Sequence, residues 1–376
     1  MIYSIPYLIL TLFYGVMALW FYKKKELRPW NISLCFIVTL IFWGFRGFCF
    51  YDWMAYYRVF LQISFQTLST SINAMEPGFC ILMATCKGIY NSYAFFTFTC
   101  SAINLVLLTR FLLKHTYNYP LALMVSTVFG GFFLFTDLMR NAIAIFLFIN
   151  AIDYISEKKP IKYLAIVLLA VSFHYSSLLY IPLYFFARKK MSKRVFAIIF
   201  ATGIIVYALN ISIFSNLTTF ILSFISSDLE DKAKYYLEEV SESSKLNFVF
   251  LEQIITGCLV IAYMDKLRAL RKEANIYINC ILLFLGVTFF MHEFTILSVR
   301  FSILFAVGYW ILWPDLIKCI SIRNNKWLFV LFISSYCFLR ILGHTSNAMA
   351  EYNNILSDPD SFQQRQSMFN KYFTPK

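Results

Sequence analysis

Charge is what this chain has least of. Only 14% of its 376 residues are Asp, Glu, Lys or Arg, against 60% hydrophobic and 20% aromatic. A water-soluble chain of this length would fold as two or three domains and coat them with roughly a quarter charged residues. The deficit excludes a cytosolic enzyme, and the wealth of apolar residues excludes a disordered chain.

Cysteine pattern is missing too. The nine cysteines are odd in number, form no Cys-x-x-Cys, and no histidine stands at a zinc-ligand spacing from a cysteine pair. A secreted disulfide scaffold and a zinc module are therefore excluded, and the cysteines read as small packing residues. There is no Gly-x-Ser-x-Gly, no Gly-x-Gly-x-x-Gly, no phosphate-binding Gly-rich loop with Lys and no His-Glu-x-x-His. Nothing in the sequence calls for a nucleotide donor, a metal or any other cofactor.

What the chain has is long apolar runs. The first, Ile2 to Tyr22, has no basic segment before it and no small-x-small cleavage site, so it reads as a spanning helix, not a signal peptide. Further runs cover 30–46, 93–113, 119–137, 139–156, 160–174, 176–187, 194–213, 247–264, 275–291, 296–317 and 326–343. The fold class expected is an all-α polytopic membrane protein with about twelve transmembrane helices, each needing about 20 apolar residues. Residues 1–343 would form one transmembrane domain, and 344–376 a polar tail on the external side.

The net charge of +13 sits in short clusters between the apolar runs, as in membrane-protein loops, so nucleic acid is not the partner; the bilayer is. These clusters are Lys23-Lys24-Lys25 with Arg28, Arg110 with Lys114, Lys158-Lys159 with Lys162, Arg188 to Arg194, Lys266 to Lys272, and Lys318 to Lys326. The positive-inside rule places all of them in the cytoplasm. The parity works if 76–90, which is short and carries Lys87, is re-entrant or half-inserted.

The runs 160–174 and 176–187 lie between two basic clusters and should form a hairpin. At ~1.5 Å per residue they reach about 23 and 18 Å, short of the ~30 Å hydrocarbon core. The tip, Phe173-His174-Tyr175-Ser176-Ser177, then lies below the outer surface and needs a protein-lined recess.

The remaining polar residues gather on the outer side. They are Arg46 and Asp52, Arg58, Glu76-Pro77-Gly78, Asp137 and Arg140, the hairpin tip, His292-Glu293 and Arg300. A long external loop, 213–247, carries Asp228, Glu230, Asp231, Lys232, Lys234 and Tyr235-Tyr236. Arg140 and Arg300 are expected in the first turn or so of apolar helices. A guanidinium near lipid depth either snorkels to the headgroups or faces a polar recess and finds an anion. Three such arginines near His174 point to a polyanion, because the guanidinium fork suits phosphate oxygens. His174 is either a hydrogen-bonded structural residue or a base for a sugar hydroxyl. Trp43, Trp53, Tyr56 and Tyr57 read as interfacial belt residues or as faces for sugar rings.

The ordered set Arg46…Asp52-x-x-x-Tyr56, Glu76-Pro77-Gly78-Phe79, Arg140-Asn141-x-x-Ala144, Phe173-His174-Tyr175-Ser176 and a late Arg300 resembles the EpsG-type, Wzy-like polysaccharide polymerases over most of residues 1–320. Asn141 stands where that family tends to have Gln, and the tail beyond 343 matches no motif. The resemblance implies a bacterial inner-membrane glycosyltransferase, multi-pass, with its site facing the periplasm or exterior. Such an enzyme takes a growing glycan from one undecaprenyl diphosphate and adds it to a repeat unit on another, making exopolysaccharide, capsule or O-antigen. A chain-length regulator and a flippase are its candidate partners.

The site expected on these grounds has Arg140 and Arg300 clamping the donor's diphosphate, with Arg46 as a third contact or an acceptor-side binder. His174 is the first choice of base, with Asp52 or Glu76 second, and no metal is needed. A single displacement would invert the anomeric configuration. Two rivals are a lipid-linked oligosaccharide flippase and a membrane acyltransferase that uses His174 with Ser176. The first lacks the expected inverted repeat and paired broken helices. The second needs His174 on the cytoplasmic side.

Overall fold

The computed structural model describes residues 2–24, 28–72, 74–213, 247–357 and 361–373. The long loop 213–247, with its acidic and basic residues from Asp228 to Tyr236, lies almost wholly outside the described residues. The described chain is helical throughout, and its single β-bridge joins Arg46 to Asn354.

Among the described residues, six helices are long and apolar enough to cross a membrane: Ile2–Tyr22, Tyr93–His115, Tyr119–Thr136, Met139–Ser156, Phe248–Leu270 and Arg323–His344. A seventh span exists if Thr295–Phe305 and Val307–Cys319 count as one. That pair is bent by 58°, so the single run expected over 296–317 is instead broken. Five shorter apolar helices accompany them, among them Pro77–Ile89 and Pro160–Phe173. The protein is thus a polytopic, all-helical membrane protein.

The chain divides into two compact units, one of residues 1–184 with 322–376 and one of 185–321. In the first, the Tyr119–Thr136 helix is almost fully buried. Its middle, Thr127–Gly131, loosens into a π-turn in which Gly130 adopts φ 102°, a conformation that costs glycine least. The helix resumes at Phe132, ends at Thr136, and after a tight turn Met139–Ser156 begins.

The hairpin expected at 160–187 forms. Pro160, at the first helical position, starts a 14-residue helix that ends at Phe173. The chain reverses through His174 into a 3-10 turn, Tyr175–Leu179, before the short Tyr180–Phe186 helix. The Tyr163 hydroxyl donates to the Tyr180 carbonyl at 2.6 Å, and the Tyr180 ring stacks on Phe148 at 3.6 Å, pinning the returning limb.

Pro77–Ile89 is a 13-residue helix, about 20 Å at ~1.5 Å per residue. Its Lys87 is structural. The ammonium donates to the Phe60 and Leu61 carbonyls at 2.7 and 2.8 Å, filling orphan acceptors at the end of the Trp53–Gln62 helix.

The tail is not loose where it is described. The backbone of Met349 to Ile355 runs along the loop after Pro29–Gly44, with Gly47 donating to Asn353, Phe50 to Met349, and Ile355 to Phe45. Phe362 stacks on Tyr57 at 4.7 Å. Composition gave no hint of this, because the segment has neither apolar periodicity nor a turn motif.

In the second unit, Phe248–Leu270, Ala274–Phe290 and Val307–Cys319 pack on one another. Glu252, buried in the first of these, accepts from Thr256 at 2.6 Å, and Thr256 in turn accepts from the Trp313 indole at 3.1 Å.

Candidate functional site

The candidate site sits where three chain segments of the first unit meet: the start of Pro77–Ile89, the start of Met139–Ser156, and the hairpin tip. Glu76 joins them. It is 4% exposed and precedes Pro77, so its position is fixed by the helix that begins there. One carboxylate oxygen takes the Arg140 Nη1 at 2.5 Å. The other accepts the backbone N–H of Tyr175 at 3.3 Å. A charged pair this deep persists only when its remaining donors and acceptors are satisfied, and the backbone bond does part of that.

Gly78 allows the meeting. A Cβ there would lie 2.5 Å from the Ser172 Oγ and 2.8 Å from the Ser172 carbonyl. Only a bare α-carbon lets this helix touch the end of the hairpin's first limb. Beneath the contact lies a packed cluster that includes Tyr56, Phe60, Phe79, Met83, Met139 and Ile143, with Phe173 against it.

Arg140 is the second residue of its helix, as the sequence predicts. Its guanidinium carbon lies 5.7 Å from the centre of the Tyr56 ring, a cation–π distance. Its Nε is buried without a hydrogen-bond partner. Burial holds the Tyr56 phenol above its ordinary pKa; the Asp52 carboxylate adds to this, and the Arg140 guanidinium opposes it.

Arg46 is 2% exposed. Its Nε donates to the Phe135 carbonyl at 2.6 Å, one of the orphan acceptors in the last turn of Phe132–Thr136. Its Nη2 is buried with no partner. Asp137, directly after that helix, accepts the backbone N–H groups of Tyr51 and Asp52 at 3.0 and 2.5 Å. It thereby fixes the entry to Trp53–Gln62 and the place of Asp52. Sequence reading put Asp137 near the site but missed this role, since a side chain that bonds a distant backbone leaves no spacing signature.

His174 ends the hairpin's first limb with extended backbone. Its Nδ1 lies 3.2 Å from the Ser176 backbone nitrogen and 2.7 Å from the Ser176 hydroxyl. That hydroxyl also reaches the Asn141 Oδ1 at 3.4 Å. So Asn141, whose amide carried no role in the sequence reading, links the Arg140 helix to the histidine turn through Ser176.

The structure therefore gathers Arg46, Asp52, Glu76, Arg140 and His174 in one region of the first unit. Arg300, His292 and Glu293 belong to the second unit. Arg300 is exposed and stands in the last turn of Thr295–Ser302, not in the first turn of a span as expected. The 3-10 turn at Ile303–Phe305 ends that helix early, which leaves Arg300 in its last turn. His292 bonds the Phe289 carbonyl and Asn210, at 2.9 and 3.2 Å. Arg58 is exposed, with its Nη2 against the Met54 sulfur. Among the described residues, no three His, Cys, Asp or Glu side chains converge as metal ligands do.

Buried Arg46, half-buried Arg140, two carboxylates and a histidine thus share one region of a polytopic protein. Residues 32–357 match the family model described as EpsG family, and the chain belongs to that family. The membership points to a polysaccharide polymerase of glycosyltransferase type. No curated protein and no solved structure matches the chain.

Proposed function

We propose that the protein is a polysaccharide polymerase that moves a glycan from an undecaprenyl-diphosphate carrier onto a lipid-linked repeat unit at the outer face of a bacterial inner membrane. About twelve crossings, with Pro77–Ile89 half-inserted, would put the hairpin tip on that face. The observation that carries the reading is the Arg140 assembly. A guanidinium at the positive end of a buried helix is tied by Glu76 to the turn bearing His174. Among the described residues, Arg140 Nε and Arg46 Nη2 are buried donors without acceptors. Unused donors of this kind suit an incoming oxyanion.

The reaction needs little else. The acceptor hydroxyl oxygen bonds to the anomeric carbon as the bond from that carbon to the diphosphate oxygen breaks, and the configuration inverts. Charge grows on the leaving diphosphate, and fixed guanidinium groups stabilise it where water is scarce. Arg140 and Arg46 are proposed for this. Arg300, also proposed for phosphate binding, is tested by its own substitution. The hydroxyl proton passes to a base, for which His174, Asp52 and Glu76 are the candidates; Glu76 already has both oxygens engaged.

The test is polymer length in a host that lacks its own polymerase. Arg140→Ala, His174→Ala and Arg300→Ala should each insert in the membrane and leave single repeat units on the outer face. Full-length polymer from all three would reject the site. Repeat units stranded on the inner face would favour a flippase instead.

A further inference from the structure

We propose that the end of the second unit formed by residues 188–194, 265–273 and 315–319 is a docking surface for the headgroups of anionic phospholipids. The inference goes beyond the polymerase reading and does not depend on it.

Three stretches distant in sequence are held together there. Lys193 pairs with Asp265 at 2.7 Å, and the Arg268 guanidinium donates to the Met191 carbonyl. These bonds fix the turn after Tyr180–Phe186 against the end of Phe248–Leu270. The Asn279 amide adds to this by donating to the Ala187 and Lys189 carbonyls at 2.7 and 3.0 Å. Lys266 donates to the Cys319 carbonyl at 3.2 Å, and Arg271 pairs with Asp315 at 2.6 Å, which brings in the end of Val307–Cys319. The fold thus sets this surface before any ligand arrives, which lowers the cost of binding one.

Its charge is nearly of one sign. The three stretches hold ten Lys and Arg against three carboxylates. Glu273 and Asp315 are buried, and the exposed Asp265 is met by Lys193 and Arg268. What faces outward is Lys189, Lys190, Arg194, Lys266, Lys272 and Lys318. Like charges packed this closely repel one another and draw anions to the surface. The basic end of the first unit is better balanced: Lys114 meets Asp153 at 2.7 Å, and Lys159 meets Glu157 at 2.6 Å.

Charge alone would suit an acidic protein as well as a lipid, and the apolar rim decides between them. Phe185 and Phe186 are 60% and 59% exposed, directly before the first basic stretch. Leu270 is exposed directly before Arg271. The Lys189 ammonium lies 4.9 Å from the centre of the Phe186 ring. Cations just beyond apolar side chains match the headgroup layer, with acyl chains against the rings and phosphates against the ammonium groups. An acidic protein surface would leave the rings without a partner. The positive-inside rule assigns these clusters to the cytoplasmic leaflet.

The test uses the purified full-length protein in phosphatidylcholine vesicles that carry a minor share of phosphatidylglycerol with the same acyl chains. Lipids retained on gentle extraction are identified by native mass spectrometry, and folding is checked by thermal melting. The wild type should enrich phosphatidylglycerol. At about fivefold per surface cation, Lys189→Gln, Lys190→Gln and Arg194→Gln together should cut that enrichment about tenfold or more. High salt should do the same. The charge-keeping exchange Lys189→Arg, Lys190→Arg and Arg194→Lys should preserve it. Lys158→Gln, Lys159→Gln and Lys162→Gln, which remove as many charges from the first unit, should leave it within about twofold. Enrichment that survives the second-unit triple overturns the inference. So does an equal loss in the first-unit triple, which would mean that any loop lysines suffice, or a loss in the charge-keeping exchange, which would mean a structural role. Unchanged lipid enrichment, together with a polyglutamate peptide that binds the wild type but not the second-unit triple, would overturn it in favour of an acidic protein.

Discussion

Two buried arginine–carboxylate pairs, one in each unit, invite comparison. Arg140–Glu76 closes at 2.5 Å and Arg271–Asp315 at 2.6 Å. Each guanidinium lies against a tyrosine face, Tyr56 at 5.7 Å and Tyr277 at 5.8 Å. Both carboxylates are nearly sealed, and Asp315, at 1% side-chain exposure, is the more so. The pair itself therefore does not mark a site. What differs is the company. Around Glu76 stand a histidine turn, an Asn–Ser link, a second buried arginine and an aspartate that fixes a loop. Arg271–Asp315 joins the end of Phe248–Leu270 to the last part of Val307–Cys319, in a stretch rich in lysine.

The sharpest way to break that contrast is to remove each arginine. Arg140→Ala should cut polymer yield per folded molecule about a hundredfold. Arg271→Ala should leave that yield near wild type while lowering stability by about 3–5 kcal/mol, the cost of orphaning a buried charge. Chain-length gels normalised to membrane-inserted protein, with thermal melting alongside, separate the two; equal activity losses would erase the distinction.

A milder version swaps the carboxylates for amides. Glu76→Gln keeps an acceptor for the Tyr175 N–H but loses the charge. The expected loss is about tenfold, roughly 1.4 kcal/mol, near the excess of a charge-assisted bond over a neutral one. Asp315→Asn should leave yield per folded molecule unchanged. The same assay reads both.

The smallest effects concern shape. Gly78→Ala would push a methyl group into Ser172 and should cost about 1–3 kcal/mol, read as a lower melting temperature. Gly343→Ala, with nothing within 4 Å of the added carbon, should raise stability by up to ~1 kcal/mol through helix propensity.

Much of the frame was legible because hydropathy and charge obey the bilayer locally. The Met139–Ser156 helix, the short hairpin and the place of Arg140 follow from run lengths and basic clusters. The Glu76-Pro77-Gly78 string was read among the outer polar residues, without the close approach of Ser172 that Gly78 admits. The rest was long-range. Asp137 bonds backbone some 85 residues away, and Arg46 serves a carbonyl 89 residues away. Neither leaves a local pattern. The 3-10 turn at Ile303–Phe305, itself without proline or glycine, interrupts an apolar run that hydropathy read as continuous.

The strap formed by Met349 to Ile355 has a temporal consequence. The ribosome makes the Arg46 loop about 300 residues before its covering segment. At roughly 5–20 residues per second, about 300 intervening residues take some 15–60 s. Throughout that interval, the nascent loop lacks its last hydrogen-bonding neighbour. Maturation of that loop is thus tied to synthesis of the covering segment, and a chain halted before it would leave the loop uncovered.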